Sequence, residues 1–83
     1  MKTFTILYIE DDQEIGAWSR DFLSGHGYEV IWKTSGYDVE EALERCDLVI
    51  VDIMLPGLDG FTVGQRIKRQ RPELPIMMLT ART

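Results

Sequence analysis

The run Leu48-Val49-Ile50-Val51-Asp52 decides the fold of this chain. Four consecutive apolar residues, three of them β-branched, predict a short strand. Because no polar residue alternates with the apolar ones, the strand should be buried on both faces, as in the middle of a parallel sheet. The run closes on an acid, which places a carboxylate at the tip of the most buried strand.

Strands and helices alternate on both sides of this run. The further predicted strands are Thr5–Ile9, Tyr28–Trp32 and Ile76–Leu79. The predicted helices are one in which Ile15, Trp18, Phe22 and Leu23 recur at helical spacing up to Gly25-His26-Gly27, one around Val39–Arg45, and one from an Asp59 cap through Phe61 and Ile67 to Gln70. This order predicts an α/β fold: an open parallel sheet with right-handed crossovers and helices on both faces.

Length and composition limit the classes of protein to consider. The 83 residues suffice for one domain, and the 45% hydrophobic and 28% charged fractions are those of a soluble globular protein. A net charge of −5 argues against broad nucleic-acid affinity. The single cysteine, Cys46, excludes an internal disulfide, and the start of the chain lacks the apolar core of a signal peptide. No apolar run is long enough to cross a membrane. Because the single cysteine allows no internal disulfide, we expect a protein of the reducing cytoplasm.

Acidic residues collect where the predicted strands end. The first strand runs into Glu10-Asp11-Asp12 and the third ends in Asp52. If these strands are neighbours, at least three carboxylates converge, and their repulsion calls for a cation. Oxygen ligands without a nearby Cys or His suit Mg²⁺. Asp52 could then attack a phosphorus atom as a nucleophile.

The end of the fourth strand would complete such a pocket. Thr80 could donate a hydrogen bond to a phosphoryl oxygen, and the small Ala81 beside it would leave room for a phosphodonor.

Three motifs resemble the receiver domain of bacterial two-component response regulators: Ile9-Glu10-Asp11-Asp12, Leu48 to Gly60, and Leu79-Thr80-Ala81-Arg82. The resemblance implies a flavodoxin-like sheet with strand order 2-1-3-4. It implies that Asp52 accepts phosphate from a sensor histidine kinase, and that Thr80 turns inward as the switch. Mg²⁺ would be held by Asp11 and Asp52 directly, by Glu10 through water, and by the backbone carbonyl of Met54.

The wording of the last motif resembles the OmpR/PhoB type, in which a DNA-binding output domain follows the receiver. Residues 1–83 would then be an incomplete receiver domain ending after the fourth strand, without the last helix–strand–helix and without the family's phosphate-binding lysine. A missing helix would leave part of one sheet face bare, so we expect poor stability or self-association through that face. DNA would be contacted only through the output domain.

Other interpretations of the same residues remain open. The acids after the first strand could merely cap a helix, a role that suits Asp12 best. The chain could be a pseudo-receiver, a protein-binding module that is never phosphorylated. A haloacid-dehalogenase-type phosphohydrolase would need a second acid two residues after Asp52, where Met54 stands. Trp18 and Trp32 are expected to pack, His26 to lie in a turn, and Cys46 to be a small buried hydrophobe.

Overall fold

The computed structural model describes residues 3–52 and 60–79, within which strands and helices alternate. In chain order the elements are β1 (Thr5–Ile9), α1 (Gln13–Gly25), β2 (Glu29–Lys33), α2 (Glu40–Arg45), β3 (Leu48–Asp52), α3 (Gly60–Gln70) and β4 (Ile76–Leu79). The predicted order of elements is confirmed, with β2 displaced by one residue and Val39 capping α2 instead of belonging to it. The predicted Asp59 cap and the predicted site residues Met54, Thr80 and Ala81 lie outside the described residues.

The four strands form one parallel sheet in the order β2-β1-β3-β4, which confirms the predicted topology. The chain leaves β1 towards β2 on one side and later returns to place β3 on the other side. The strand order therefore reverses between β1 and β3, where open α/β sheets bind their ligands. Because the strands are parallel, all four end at one edge, which we call the carboxyl edge; the opposite one, where they begin, is the amino edge.

One face of the sheet is well packed over its two central strands, β1 and β3. Strand residues pointing to this face alternate with those pointing to the other, so β1 and β3 each contribute two completely buried side chains. The helices α2 and α3 close over them. The core consists of Leu7, Ile9, Val39, Ala42, Leu43, Cys46, Val49, Val51, Val63, Ile67 and Leu74. The prediction that Cys46 is a buried hydrophobe is confirmed, and burial raises the pKa of its thiol.

The other face is covered only in part, by α1, which packs against β2. Tyr8 is buried beneath it, but Ile50 is half-buried and the side chain of Met77 is half exposed. An open groove of about 510 Å³ runs over this face. The prediction that β3 is buried on both faces is therefore wrong for the face that carries α1, since no described element covers it beyond α1. Trp18, predicted to pack, is 72% exposed for the same reason.

The ends of α1 follow from side-chain chemistry. The Asp12 carboxylate accepts a hydrogen bond from the Ile15 backbone amide at 2.9 Å, so the prediction that Asp12 caps this helix is confirmed. At the other end His26 is the exposed C-cap, with its Nδ1 2.9 Å from the Phe22 carbonyl oxygen. Gly27 follows with a φ of 94°, a conformation that glycine adopts without strain. His26 is thus a turn residue, as predicted.

Candidate functional site

Two strands bring the predicted acids together. In the register of the sheet, Ile9 lies opposite Val51, so Glu10 and Asp52 leave neighbouring strands at the same level of the carboxyl edge. Asp52 is the last residue of β3, and Asp11 follows Glu10 in the short turn before α1. The site therefore lies at the reversal of strand order, where two crossovers of opposite direction leave a crevice.

The carboxylates of Glu10, Asp11 and Asp52 form one cluster, in which the closest oxygens of the three residues all lie within 4.8 Å of one another. Glu10 is buried, with 5% of its surface exposed, whereas Asp52 is half-buried and Asp11 exposed. The three thus differ in their access to solvent while sharing one location. In the part of the chain that the structure describes, this is the one group of three metal-ligating side chains that could hold an ion together.

Glu10 shows what this crowding does electrostatically. The pKa of its carboxyl is raised to about 7, mainly by burial and in addition by the neighbouring carboxyls of Asp52 and Asp11. A hydrogen bond opposes the shift, since the Asp12 backbone amide donates to Glu10 Oε2 at 3.2 Å. A cation among the three carboxylates would favour the ionised form of all of them, which is the charge pattern of a divalent metal site.

Tyr8 lies in β1 one residue before Ile9, buried on the face that carries α1. Burial raises the pKa of its phenol; a hydrogen bond with Ser19 lowers it, and the negative charge of Glu10 raises it further. Its hydroxyl therefore stays protonated near neutral pH, next to the acid cluster.

Trp32 is a neighbour of the cluster whose role sequence reasoning missed. Its indole Nε1–H donates a hydrogen bond to the backbone carbonyl oxygen of Glu10 at 2.9 Å. The pattern predicted packing for this residue, and it does pack against Gly16 of α1. The signal in the sequence is Gly16 itself, because a glycine inside a helix weakens it and implies a close neighbour.

Of the predicted site residues, Glu10, Asp11 and Asp52 lie together at the carboxyl edge. Met54, Thr80 and Ala81 lie outside the described residues, so their roles stay predictions.

No described helix is long and apolar enough to span a bilayer.

The strand order and the acid cluster at its reversal place the molecule among doubly wound α/β proteins of the flavodoxin-like order. The chain belongs to the response regulator receiver domain family, whose model matches residues 6–83. Receiver domains are regulatory parts of response regulators, and this confirms the resemblance inferred from the motifs.

Individual relatives agree with this assignment. Over 82 residues the chain is 45% identical to the uncharacterized transcriptional regulatory protein YbdJ of Bacillus subtilis, a match covering 99% of this chain and 37% of that protein. Over 80 residues it is 44% identical to the transcriptional regulatory protein AfsQ1 of Streptomyces coelicolor, covering 94% of this chain and 35% of that protein. The chain thus spans about a third of the length of these curated relatives.

A solved structure has the same fold. The chemotaxis protein CheY4 of Vibrio cholerae superposes with a TM-score of 0.91 at 28% identity, over 99% of this chain and 72% of that one.

Proposed function

We propose that this chain is a Mg²⁺-dependent phosphoacceptor in which Asp52 receives a phosphoryl group from a sensor histidine kinase and a conformational change transmits the signal. The observation that carries the proposal is the convergence of Glu10, Asp11 and Asp52 within 4.8 Å at the carboxyl edge. A helix cap accounts for Asp12 alone. It does not account for a buried glutamate placed against an aspartate from another strand.

The donor set fits Mg²⁺. All three side chains offer carboxylate oxygen, the ligand type that Mg²⁺ prefers. We infer that Asp11 and Asp52 hold the ion directly and that Glu10 assists through water; the Met54 carbonyl would supply a further ligand. When bound, Mg²⁺ neutralises the carboxylates and offsets negative charge on the phosphoryl oxygens.

Among the three acids, Asp52 suits the role of acceptor best. Glu10 is buried and its Oε2 is engaged by the Asp12 amide, whereas Asp52 is half-buried at the tip of a central strand. In the transfer, an Asp52 carboxylate oxygen forms a bond to phosphorus while the bond from phosphorus to the kinase histidine nitrogen breaks. The electron pair of that bond stays on the imidazole, and the product is an acyl phosphate.

Thr80 and Ala81 would serve the same reaction from the end of β4. Thr80 would donate a hydrogen bond to a phosphoryl oxygen and move inward as the switch, and Ala81 would leave space for the donor. The register supports this placement, since Leu79 lies opposite Asp52 in the β3–β4 pair.

Incubation of the 83-residue chain with a small phosphodonor and Mg²⁺, followed by intact-mass measurement, tests the acceptor. We expect one added phosphoryl group on the wild type and none on Asp52→Asn. Asp47→Asn is the matched control, because Asp47 is a carboxylate at the amino edge that the proposal gives no role. Equal labelling of the wild type and Asp52→Asn would refute the assignment of Asp52. Absence of label on every variant would favour a pseudo-receiver.

The whole protein would be a cytoplasmic transcription regulator. The relatives named above are transcriptional regulatory proteins of which this chain spans about a third, so the proposed DNA-binding output would come from another part of the protein. Residues 1–83 would be the β1–β4 part of the receiver, consistent with the 72% of the CheY4 chain that they cover.

Self-association through the open sheet face is a further part of the proposal. Phe4, Tyr28 and Met77 border the groove on that face, and each is 40–50% exposed. An exposed apolar groove of this kind favours contact with a second apolar surface. Sedimentation of the 83-residue chain should show dimers or larger species that Met77→Lys dissociates, whereas Gln65→Lys, a substitution on α3, should leave them intact. A wild-type chain that sediments as a monomer at high concentration would contradict this part.

A further inference from the structure

Trp32 occupies an unusual place in the sheet. It lies in β2 directly opposite Tyr8 of β1, and its ring points to the face that carries α1. From there its indole Nε1–H reaches the end of β1 and donates to the Glu10 carbonyl oxygen at 2.9 Å. An aromatic side chain of one strand therefore bonds the backbone of its neighbour at the point where the acid cluster begins.

The ring is held on the helix side. A Cβ atom at Gly16 would overlap the six-membered ring of Trp32, so the indole fits against α1 only because residue 16 lacks a side chain. The Arg20 guanidinium, one turn further along α1, lies 5.4 Å from the centre of the ring, within the range of a cation–π contact. Two residues of α1 thus fix the position of an indole that belongs to β2.

The bonded carbonyl belongs to the peptide that joins Glu10 to Asp11. The Glu10 amide makes the last backbone hydrogen bond between β1 and β2, to the Lys33 carbonyl oxygen at 2.9 Å. With the indole bonded to its carbonyl, both polar backbone groups of Glu10 are fixed, one by the strand and one by Trp32. The directions in which the Glu10 and Asp11 side chains leave the backbone depend on this peptide.

We propose that Trp32 is a positioning residue of the acid site, which holds the Glu10–Asp11 peptide so that both carboxylates face Asp52. The inference deepens the proposed function and rests on it, because the property that Trp32 controls is the affinity of the acid cluster for a divalent cation. Partners one step removed from a metal typically change its affinity by about 10–100-fold. We expect an effect near the lower end of that range.

A spectroscopic signature in the wild type tests the inference without any substitution. The chain has two tryptophans, and Trp18 on α1 is 72% exposed, so its indole N–H is an internal control. In a Mg²⁺ titration followed by ¹H–¹⁵N NMR, the Trp32 indole signal should shift with the same midpoint as the Asp11 backbone amide, while the Trp18 signal stays in place. A stationary Trp32 signal beside a shifting Asp11 amide would overturn the inference.

Substitutions separate positioning from packing. Trp32→Phe keeps an aromatic ring but removes the N–H donor, and we expect it to weaken Mg²⁺ binding about tenfold. Gly16→Ala should displace the indole and weaken binding similarly, but add little in a Trp32→Phe background, where the hydrogen bond is already absent. The control is Arg71→Ala, which removes hydrogen bonds at the amino edge and should lower the melting temperature while leaving Mg²⁺ affinity unchanged.

The outcomes distinguish the two proposals. If the wild type shows no Mg²⁺ binding, the proposed function and this inference fail together. If the wild type binds Mg²⁺ and Trp32→Phe binds it equally well, the inference alone fails. If Trp32→Phe and Arg71→Ala weaken binding to the same extent, loss of stability explains the effect and the positioning role is wrong.

Discussion

At the amino edge of the sheet, the Asp47 carboxylate accepts a hydrogen bond from the Thr5 backbone amide at 2.8 Å, and the Asp47 amide donates to the Thr5 carbonyl at 2.7 Å. At the carboxyl edge, the carboxylates of Glu10, Asp11 and Asp52 face one another within 4.8 Å. Acids at the first edge are matched with donors and tie strands together. At the second edge, burial first and then the neighbouring carboxyls of Asp52 and Asp11 raise the pKa of Glu10 to about 7, and such a shift is typical of residues kept in place for binding.

Arg71 is a positively charged residue that also stabilises the amino edge. Its guanidinium donates to the carbonyl oxygens of Leu43 at 2.6 Å and Cys46 at 3.3 Å, which closes the end of α2, and it pairs with Glu73 at 2.8 Å. The positive charge near the end of α3 thus serves the amino edge. The charged residues of the amino edge contribute to stability, whereas those of the carboxyl edge form the proposed binding site. Substitutions at each edge should therefore change different measurements.

The largest effect should follow from removing the carboxylate shared by the proposed metal and phosphoryl sites. Asp52→Asn replaces a charged ligand by a neutral amide, and we expect Mg²⁺ affinity to fall by about a hundredfold or more, beyond the loss typical of outer partners. Asp47→Asn makes the same chemical change at the amino edge and should leave the affinity close to that of the wild type. Calorimetric titration measures both, and equal losses in the two variants would remove the distinction between the edges.

The next effect concerns stability at the amino edge. Arg71→Ala removes a charged donor from two backbone carbonyls, and hydrogen bonds to charged groups contribute about 1.5–3 kcal/mol. Because this side chain is partly exposed, we expect the free energy of unfolding to fall by about 2 kcal/mol, measured by urea denaturation. Arg71→Lys keeps the charge without the planar fork and should recover only part of the loss. If Arg71→Ala unfolds at the same urea concentration as the wild type, the hydrogen bonds from Arg71 to the end of α2 do not contribute to stability.

How far the sequence predicts these edges depends on the range of the interactions. The strand order and the meeting of Glu10 with Asp52 follow from apolar runs that each end in acids, because parallel strands end at one edge. Asp12 as a cap was predictable because its partner, Ile15, is three residues away. The hydrogen bonds from Trp32 to Glu10 and from Arg71 to Leu43 join residues that are 22 and 28 positions apart, so no local sequence pattern predicts them.

The two faces of the sheet mark a second limit of sequence reasoning. Apolar spacing shows which side chains of a helix or strand are suited to burial, but not whether another element lies opposite. Val51 and Ile50 look equivalent in the sequence. The first is completely buried under α2 and α3, whereas the second faces the open groove. The same pattern therefore gave a correct prediction on one face and a wrong one on the other.

A third effect is the pH dependence of Mg²⁺ binding at the carboxyl edge. With a pKa of about 7, Glu10 is mostly protonated at pH 6 and mostly ionised at pH 8, and a cation competes with that proton. Mg²⁺ affinity should therefore rise by roughly tenfold between these pH values. Glu10→Gln should bind weakly with little pH dependence over this range. If the wild type shows a flat profile, Glu10 is ionised throughout, and burial and crowding raise its pKa less than inferred.

The smallest effect is a gain in stability on removing the Glu10 charge in the absence of Mg²⁺. The pKa of Glu10 is higher in the folded chain than its ordinary value of 4.5, so the folded state retains a proton that the unfolded state releases between pH 4.5 and 7. Without Mg²⁺, the protonated Glu10 carboxyl contributes its full share to the free energy of unfolding below pH 4.5. That contribution should be lost as the pH rises towards and through 7. Glu10→Gln removes this penalty and should raise the melting temperature at pH 8 by a few degrees, with little change at pH 4.5. Asp47→Asn should lower the melting temperature at pH 8, because a neutral amide oxygen accepts the Thr5 amide more weakly than the Asp47 carboxylate does. If both substitutions lower it, the carboxylates at the two edges act alike, and the acid cluster is a stabilising network instead of a strained binding site.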